Sequence, residues 1–117
     1  MAQYIPERKD IIWLDFEPVK GEEIGKYRPA LVLSSKEYNQ QTRLLICCPI
    51  STNIRGQASE VPVKNLDKPS VVATSLVQTL SWKDRNAKKI TTSENGVMED
   101  VLFRLIPLIG AESLFEE

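Results

Sequence analysis

Asp10-Ile11-Ile12-Trp13-Leu14-Asp15-Phe16 and Arg28-Pro29-Ala30-Leu31-Val32-Leu33-Ser34 bracket the loop stretch Gly21-Glu22-Glu23-Ile24-Gly25-Lys26-Tyr27. The two flanking runs are short and apolar, as buried strands are, and Pro18 and Gly21 open a turn between them. The pair reads as two strands joined by a Gly-punctuated loop. That loop gathers carboxylates (Glu22, Glu23) and cations (Lys26, Arg28). Pro29 biases Arg28 towards extended backbone and so holds it at the mouth of the second strand. A preset arginine beside a carboxylate suits phosphate chemistry, and it suits a loop salt bridge equally well.

Working outward, Leu44 to Ile50 reads as a third strand, apolar on both faces. Ser51 to Ser59 is a polar loop carrying Gly56. Glu60-Val61-Pro62-Val63 contains proline, which demotes it to an edge strand. Val71 to Leu80 reads as one longer strand with β-branched enrichment. Lys36 to Gln41 has the polarity of a single helical turn. In the last third the period changes: Val97, Val101, Leu102, Leu105, Leu108 and Ile109 fall on one helical stripe. Ser93 or Thr92 would cap that helix, with Glu94 near its positive end. Pro107 would kink it and Gly110 would stop it. Five strand-like runs and one terminal helix predict a mainly β (α+β) fold, a small bent antiparallel sheet or barrel closed by a C-terminal helix.

The chain has 117 residues, a length that bounds it to a single domain over 1–117 with one modest core. It contains no histidine, which excludes a histidine base, a Ser-His or Cys-His nucleophile and a His-containing zinc site. No metal or other cofactor is expected. Cys47 and Cys48 are adjacent in a strand, so they point to opposite faces and read as reduced packing residues. There is no apolar run of roughly 18 residues and no apolar leader, so no membrane association and a cytoplasmic location are expected. A net charge of −1 argues against broad nucleic-acid coating and leaves a local basic groove open.

The ordered set Tyr4-Ile5-Pro6, Asp10 to Pro18, Lys20-Gly21 with Glu23, Arg28 to Ser34, Cys48-Pro49-Ile50-Ser51-Thr52-Asn53-Ile54-Arg55-Gly56, Trp82-Lys83-Asp84-Arg85 and Leu108-Ile109-Gly110 resembles the MazF/PemK toxins. The resemblance covers nearly the whole chain. It implies an SH3-like β-barrel with helical insertions and a homodimer. It also implies a ribosome-independent, sequence-specific endoribonuclease that cuts single-stranded RNA by 2′-OH attack. The paired antitoxin would be MazE-like. Residue by residue, it places Arg28 at the phosphate, Glu23 as base or as orienter of Arg28, and Ser51 where relatives usually carry threonine. Thr52 stands next to Ser51 as a second hydroxyl. Arg55 would ride a loop over the groove, Lys83 and Arg85 would supply further charge or form a solvated turn, and Trp82 reads as a stacking platform for a base or as a core residue. The chain departs from the family at Ile24, where a glutamine is usual, and at Ala73-Thr74-Ser75, which carries no ionisable group. Competing readings are a CcdB-like toxin that binds protein, a metal nuclease using Asp15, Glu17, Glu22 and Glu23, and a catalytically weak antitoxin-binding module.

Overall fold

Alternate residues of the central strands bury to opposite sides, and this organises the molecule. The computed structural model describes residues 3–116. Strands β1 (Asp10–Asp15), β2 (Tyr27–Val32) and β3 (Leu44–Ser51) run antiparallel, with Ile11 opposite Leu31 and Leu31 opposite Cys48. Ile11, Leu31, Cys48 and Ile50 enter one core, which the C-terminal helix covers. Ile12, Leu14, Ala30, Val32, Leu45 and Cys47 enter a second core on the other face. A strand buried on both sides has no polar positions to alternate, which explains the continuous apolar runs. The two cysteines are both free, one in each core.

Four further strands complete the sheet: β4 (Glu60–Val63), β5 (Ser70–Ala73), β6 (Gln78–Ser81) and β7 (Lys88–Thr92). The order is β4-β5-β3-β2-β1-β7, with β6 also on β3. The expected mainly antiparallel β fold with a C-terminal helix is therefore present, as a strongly bent half-barrel. β4 is an edge, as Pro62 requires, and β7 is the other edge.

Two expectations about strands need correction. The run 71–80 is not one strand: a 3-10 turn at Thr74–Leu76 divides it. Cys47 lies opposite Gln78 and Ile50 opposite Val72, so residues 48–49 of β3 face the five residues 73–77. The turn sits opposite Pro49, which has no N–H to offer a ladder. β3 is thereby paired to β6 along its first half and to β5 along its second, and the sheet bends at the join. Lys88 and Lys89 lie in β7, paired with β1, a strand beyond the five expected runs.

Helix α1 (Lys36–Thr42) starts at Ser35, whose hydroxyl accepts the Tyr38 N–H at 3.2 Å. Its Asn39 is fully buried and ties four segments together. The Asn39 amide donates to Pro6 O at 2.8 Å, its oxygen accepts from the Ser34 hydroxyl, and its backbone carbonyl accepts the Trp82 indole N–H at 2.9 Å. Ser34 Oγ in turn accepts the Ile46 N–H at 2.8 Å. A second anchor holds the N-terminal arm: Tyr4 donates to the buried Asp10 carboxylate, which also pairs with Lys89 Nζ at 3.5 Å.

Helix α2 (Val97–Leu108) buries Val97, Met98 and Val101. Its cap is Gly96, at φ 93, and not Ser93 or Thr92. The Ser93 N–H is spent on Lys9 O at 2.8 Å, and Glu94 accepts the Lys64 N–H at 2.6 Å, so both residues tie the helix entry to neighbouring loops. Pro107 lies in the last turn and the helix stops before Gly110.

Candidate active site

The loop between β1 and β2 is held by its own acids. Lys20 N–H donates to Glu23 Oε1 at 2.7 Å, and Glu23 N–H returns a bond to Lys20 O at 3.2 Å. Lys26 N–H donates to Glu17 Oε1 at 2.7 Å, and Asp15 Oδ1 accepts the Glu17 N–H at 3.0 Å. Gly25 packs so closely on Glu17 that a Cβ there would overlap the carboxylate. Asp15, Glu17 and Glu23 are thus each engaged by a backbone N–H of their own loop. Among the described residues, no group of three or more His, Cys, Asp or Glu side chains is placed to hold a metal ion.

Arg28 closes this loop from the β2 side. Its Nε donates to Gly25 O at 2.6 Å. The only ion pair among the described residues is Lys89 with Asp10, so the salt bridge from Arg28 to Glu22 or Glu23 does not form. Burial lowers the guanidinium from its ordinary value, yet an arginine stays charged at any physiological pH. Its two terminal nitrogens keep their protons for a ligand.

The β2–β3 ladder ends with Ala30 opposite Pro49, and Ser51 pairs with Val71 of β5; Arg28 meets the cleft through its bond to Gly25. Ser51 Oγ accepts the Asn53 N–H at 3.0 Å, which caps the loop start and leaves the hydroxyl proton free to donate. Ser51, Glu23 and Arg55 line one open cleft of about 530 Å³, whose other walls include Asn53, Gln57 and Ala73. Gly25, the residue that Arg28 holds, is on its rim.

The remaining candidates are not brought to this cleft. Thr52 lines a separate, more apolar groove of about 500 Å³ with Trp13, Pro29, Leu66 and Ile90. Arg85 donates from Nη1 to the carbonyls of Asp15 and Glu17, both at 2.9 Å, and so braces the β1–β2 loop from behind. Lys83 is exposed and lines neither cavity. Trp82 is 4% exposed in the second core, with its indole N–H on Asn39 O. A ring enclosed on both faces cannot stack on a base, so its role is packing. The exposed aromatic pair is instead Trp13 on Tyr27, stacked at 5.5 Å. Sequence reasoning also passed over Glu60, which lines the cleft; its signal was a carboxylate four residues beyond Gly56 in a polar loop.

The fold and the cleft together define a small half-barrel protein in which a loop carboxylate and a hydroxyl at the end of β3 line one cleft, beside an arginine that braces the loop. The model of the PemK-like, MazF-like toxins of type II toxin–antitoxin systems matches residues 7–109. The chain belongs to that family. The endoribonuclease toxin MazF of Escherichia coli K12 is 33% identical over 110 residues, covering 94% of this chain and 99% of the relative. The crystal structure of MazF (Form-I) from Deinococcus radiodurans superposes with a TM-score of 0.89 at 34% identity, covering 92% of this chain and 99% of that one. A MazE–MazF crystal structure (Form-II) from the same organism gives a TM-score of 0.82 at 34% identity, over 92% and 98%.

Proposed function

We propose that this protein is the toxin of a toxin–antitoxin pair and cleaves single-stranded RNA without a metal ion. The observation that carries the reading is Arg28, a charged guanidinium with no carboxylate partner among the described residues, whose Nε holds Gly25 on the wall of the cleft that Ser51 and Glu23 line. RNA cleavage needs a base for the ribose 2′-OH, donors for the charge on the phosphate, and an acid for the leaving oxygen. Glu23 takes the 2′-OH proton through the carboxylate oxygen that the Lys20 N–H leaves open. Arg28 forks onto two phosphate oxygens and the Ser51 hydroxyl donates to the same group. The 2′ oxygen bonds to phosphorus, the bond to the 5′ oxygen breaks, and solvent or a group on the far side protonates it. The products are a 2′,3′-cyclic phosphate and a 5′-OH. Ala73 and Ser75 on the cleft wall carry no ionisable group and the Glu60 carboxylate is taken by loop N–H groups, which favours a base on the β1–β2 loop.

Arg55 approaches the RNA from the β3–β4 loop. A MazE-like antitoxin with an extended acidic segment would compete for the same positive cleft, folding as it binds. Two copies would pair through the exposed apolar end of α2. A cytoplasmic location fits these partners, and no helix among the described residues is long and apolar enough to cross a membrane.

The test is a single-stranded RNA with one deoxyribose at a mapped cut site. Cleavage there should stop, and cleavage of the all-ribose strand should survive a chelator. A deoxyribose strand that is still cut would make water the nucleophile. RNA that yields no discrete fragments would favour a toxin that acts by binding protein.

A further inference from the structure

Glu60 begins β4 at the rim of the cleft, and the loop before it wraps its carboxylate. Oε1 accepts the N–H groups of Gly56 at 2.8 Å and of Arg55 and Gln57 at 3.2 Å, and Oε2 accepts that of Arg55 at 3.2 Å. Three consecutive N–H groups converge because Gly56 sits at φ 73, in the left-handed region. Such a concavity is an anion-binding nest, and here the chain supplies its own anion. Two further bonds pin the loop at the C-terminal side of the nest: Glu60 N–H donates to Gln57 O at 3.1 Å, and Arg104 of α2 donates to Ala58 O at 2.9 Å.

We infer that Glu60 is a positioning residue for RNA binding: its carboxylate latches the 55–57 backbone so that Arg55 is held at the cleft before RNA arrives. This rests on the reading of the cleft as an RNA site. The nest itself is then not a phosphate site, because its donors are already taken, and the loop acts on RNA through side chains. Holding a polar loop in place ahead of binding removes an ordering cost from association. Loss of the latch therefore falls on binding, and the chemistry at Arg28 and Ser51 is left alone.

Glu60→Gln keeps the shape of the side chain and removes its charge. Amide exchange of Arg55, Gly56 and Gln57 in the full chain should speed up by about tenfold or more, the loss of a charge-assisted contact. KM for a single-stranded RNA oligonucleotide should rise several-fold while kcat stays within about twofold. In an Arg55→Ala background the same change should raise KM no further. Gly56→Ala attacks the nest from the other side: its Cβ meets open space, but the left-handed backbone strains any side chain. It should reproduce both effects. Unchanged exchange in both variants would overturn the inference. So would a KM penalty of full size in the Arg55→Ala background. Faster exchange in both variants, with no RNA cleavage by any form of the protein, would keep the latch as a loop-positioning device and overturn the RNA reading of the cleft.

Discussion

Arg28 is charged, half-buried and spends only Nε on the protein, and those properties set what its replacement does. Arg28→Ala should lower kcat/KM by roughly 100- to 1,000-fold, the usual cost of one transition-state donor, with the melting temperature nearly unchanged. Arg28→Lys keeps the charge but loses both the fork and the brace to Gly25, so it should recover only a fraction of the rate. Near-normal cleavage by a folded Arg28→Ala protein would remove the residue from the site. The two cysteines make a separate residue-scale case. Burial pushes both thiols up, Cys48 to about 12 and Cys47 further. Above pH 9, thiols of the unfolded chain lose protons that the folded chain keeps, so stability is full below pH 9 and falls as pH rises towards 12. Urea midpoints measured from pH 8 to 11 should decline, and a double Cys→Ser variant should decline less. At pH 8 neither thiol should react with iodoacetamide until the chain unfolds.

At the scale of elements, the buried Asn39 side chain joins α1 to the N-terminal arm and to the end of β2. Asn39→Ala leaves Pro6 O and the Ser34 hydroxyl without that partner inside the protein, and should cost about 2–3 kcal/mol in a urea melt. Trp82→Ala should cost about 3–5 kcal/mol by emptying the second core, and the fraction that stays folded should bind RNA normally. A variant that lost RNA affinity at unchanged stability would return the ring to the groove. These cases mark what could be read from the chain. The strands at 10–16, 29–34 and 44–50 are legible as short apolar runs, and the helix over 97–109 by its period, because both signals are local. The break at Thr74–Leu76 is not: the residues on both sides have strand propensity, and the interruption belongs to β3, far away in sequence. Ser51 and Thr52 are equivalent as letters, and only the register of β3 sends one to the cleft and the other to the apolar groove. Trp82 and Trp13 are likewise equivalent as letters, and only the packing encloses the first and exposes the second. Family-like spacing nominates Arg28, Glu23 and Ser51, and two of them, Glu23 and Ser51, line one cleft. Glu60 could not, because its role is to hold backbone donors that every sequence has.

For the whole molecule, the far end of α2 and the turn after it stay apolar and exposed. Phe103, Leu108, Ile109, Leu114 and Phe115 are each at least 50% exposed. A row of this kind on a small protein marks a protein–protein interface. We expect a homodimer at micromolar concentration by light scattering, and a Phe103→Asp variant that runs as a monomer. A wild-type monomer would contradict the pairing. The order of elements along the chain has one more consequence, in the timing of synthesis. The cleft draws its walls from residues 21–25, 51–60 and 71–76, and the core beneath it is filled by Val97, Met98 and Val101 of the last helix. β1, the first strand made, gains its outer neighbour only when β7 emerges. A nascent chain on the ribosome therefore carries Arg28 long before it carries a site. At about 5–20 residues per second, several seconds separate the two. On the proposed RNA-cleaving function, a growing copy should spare the message that encodes it until residues 97–101 have emerged to fill the core.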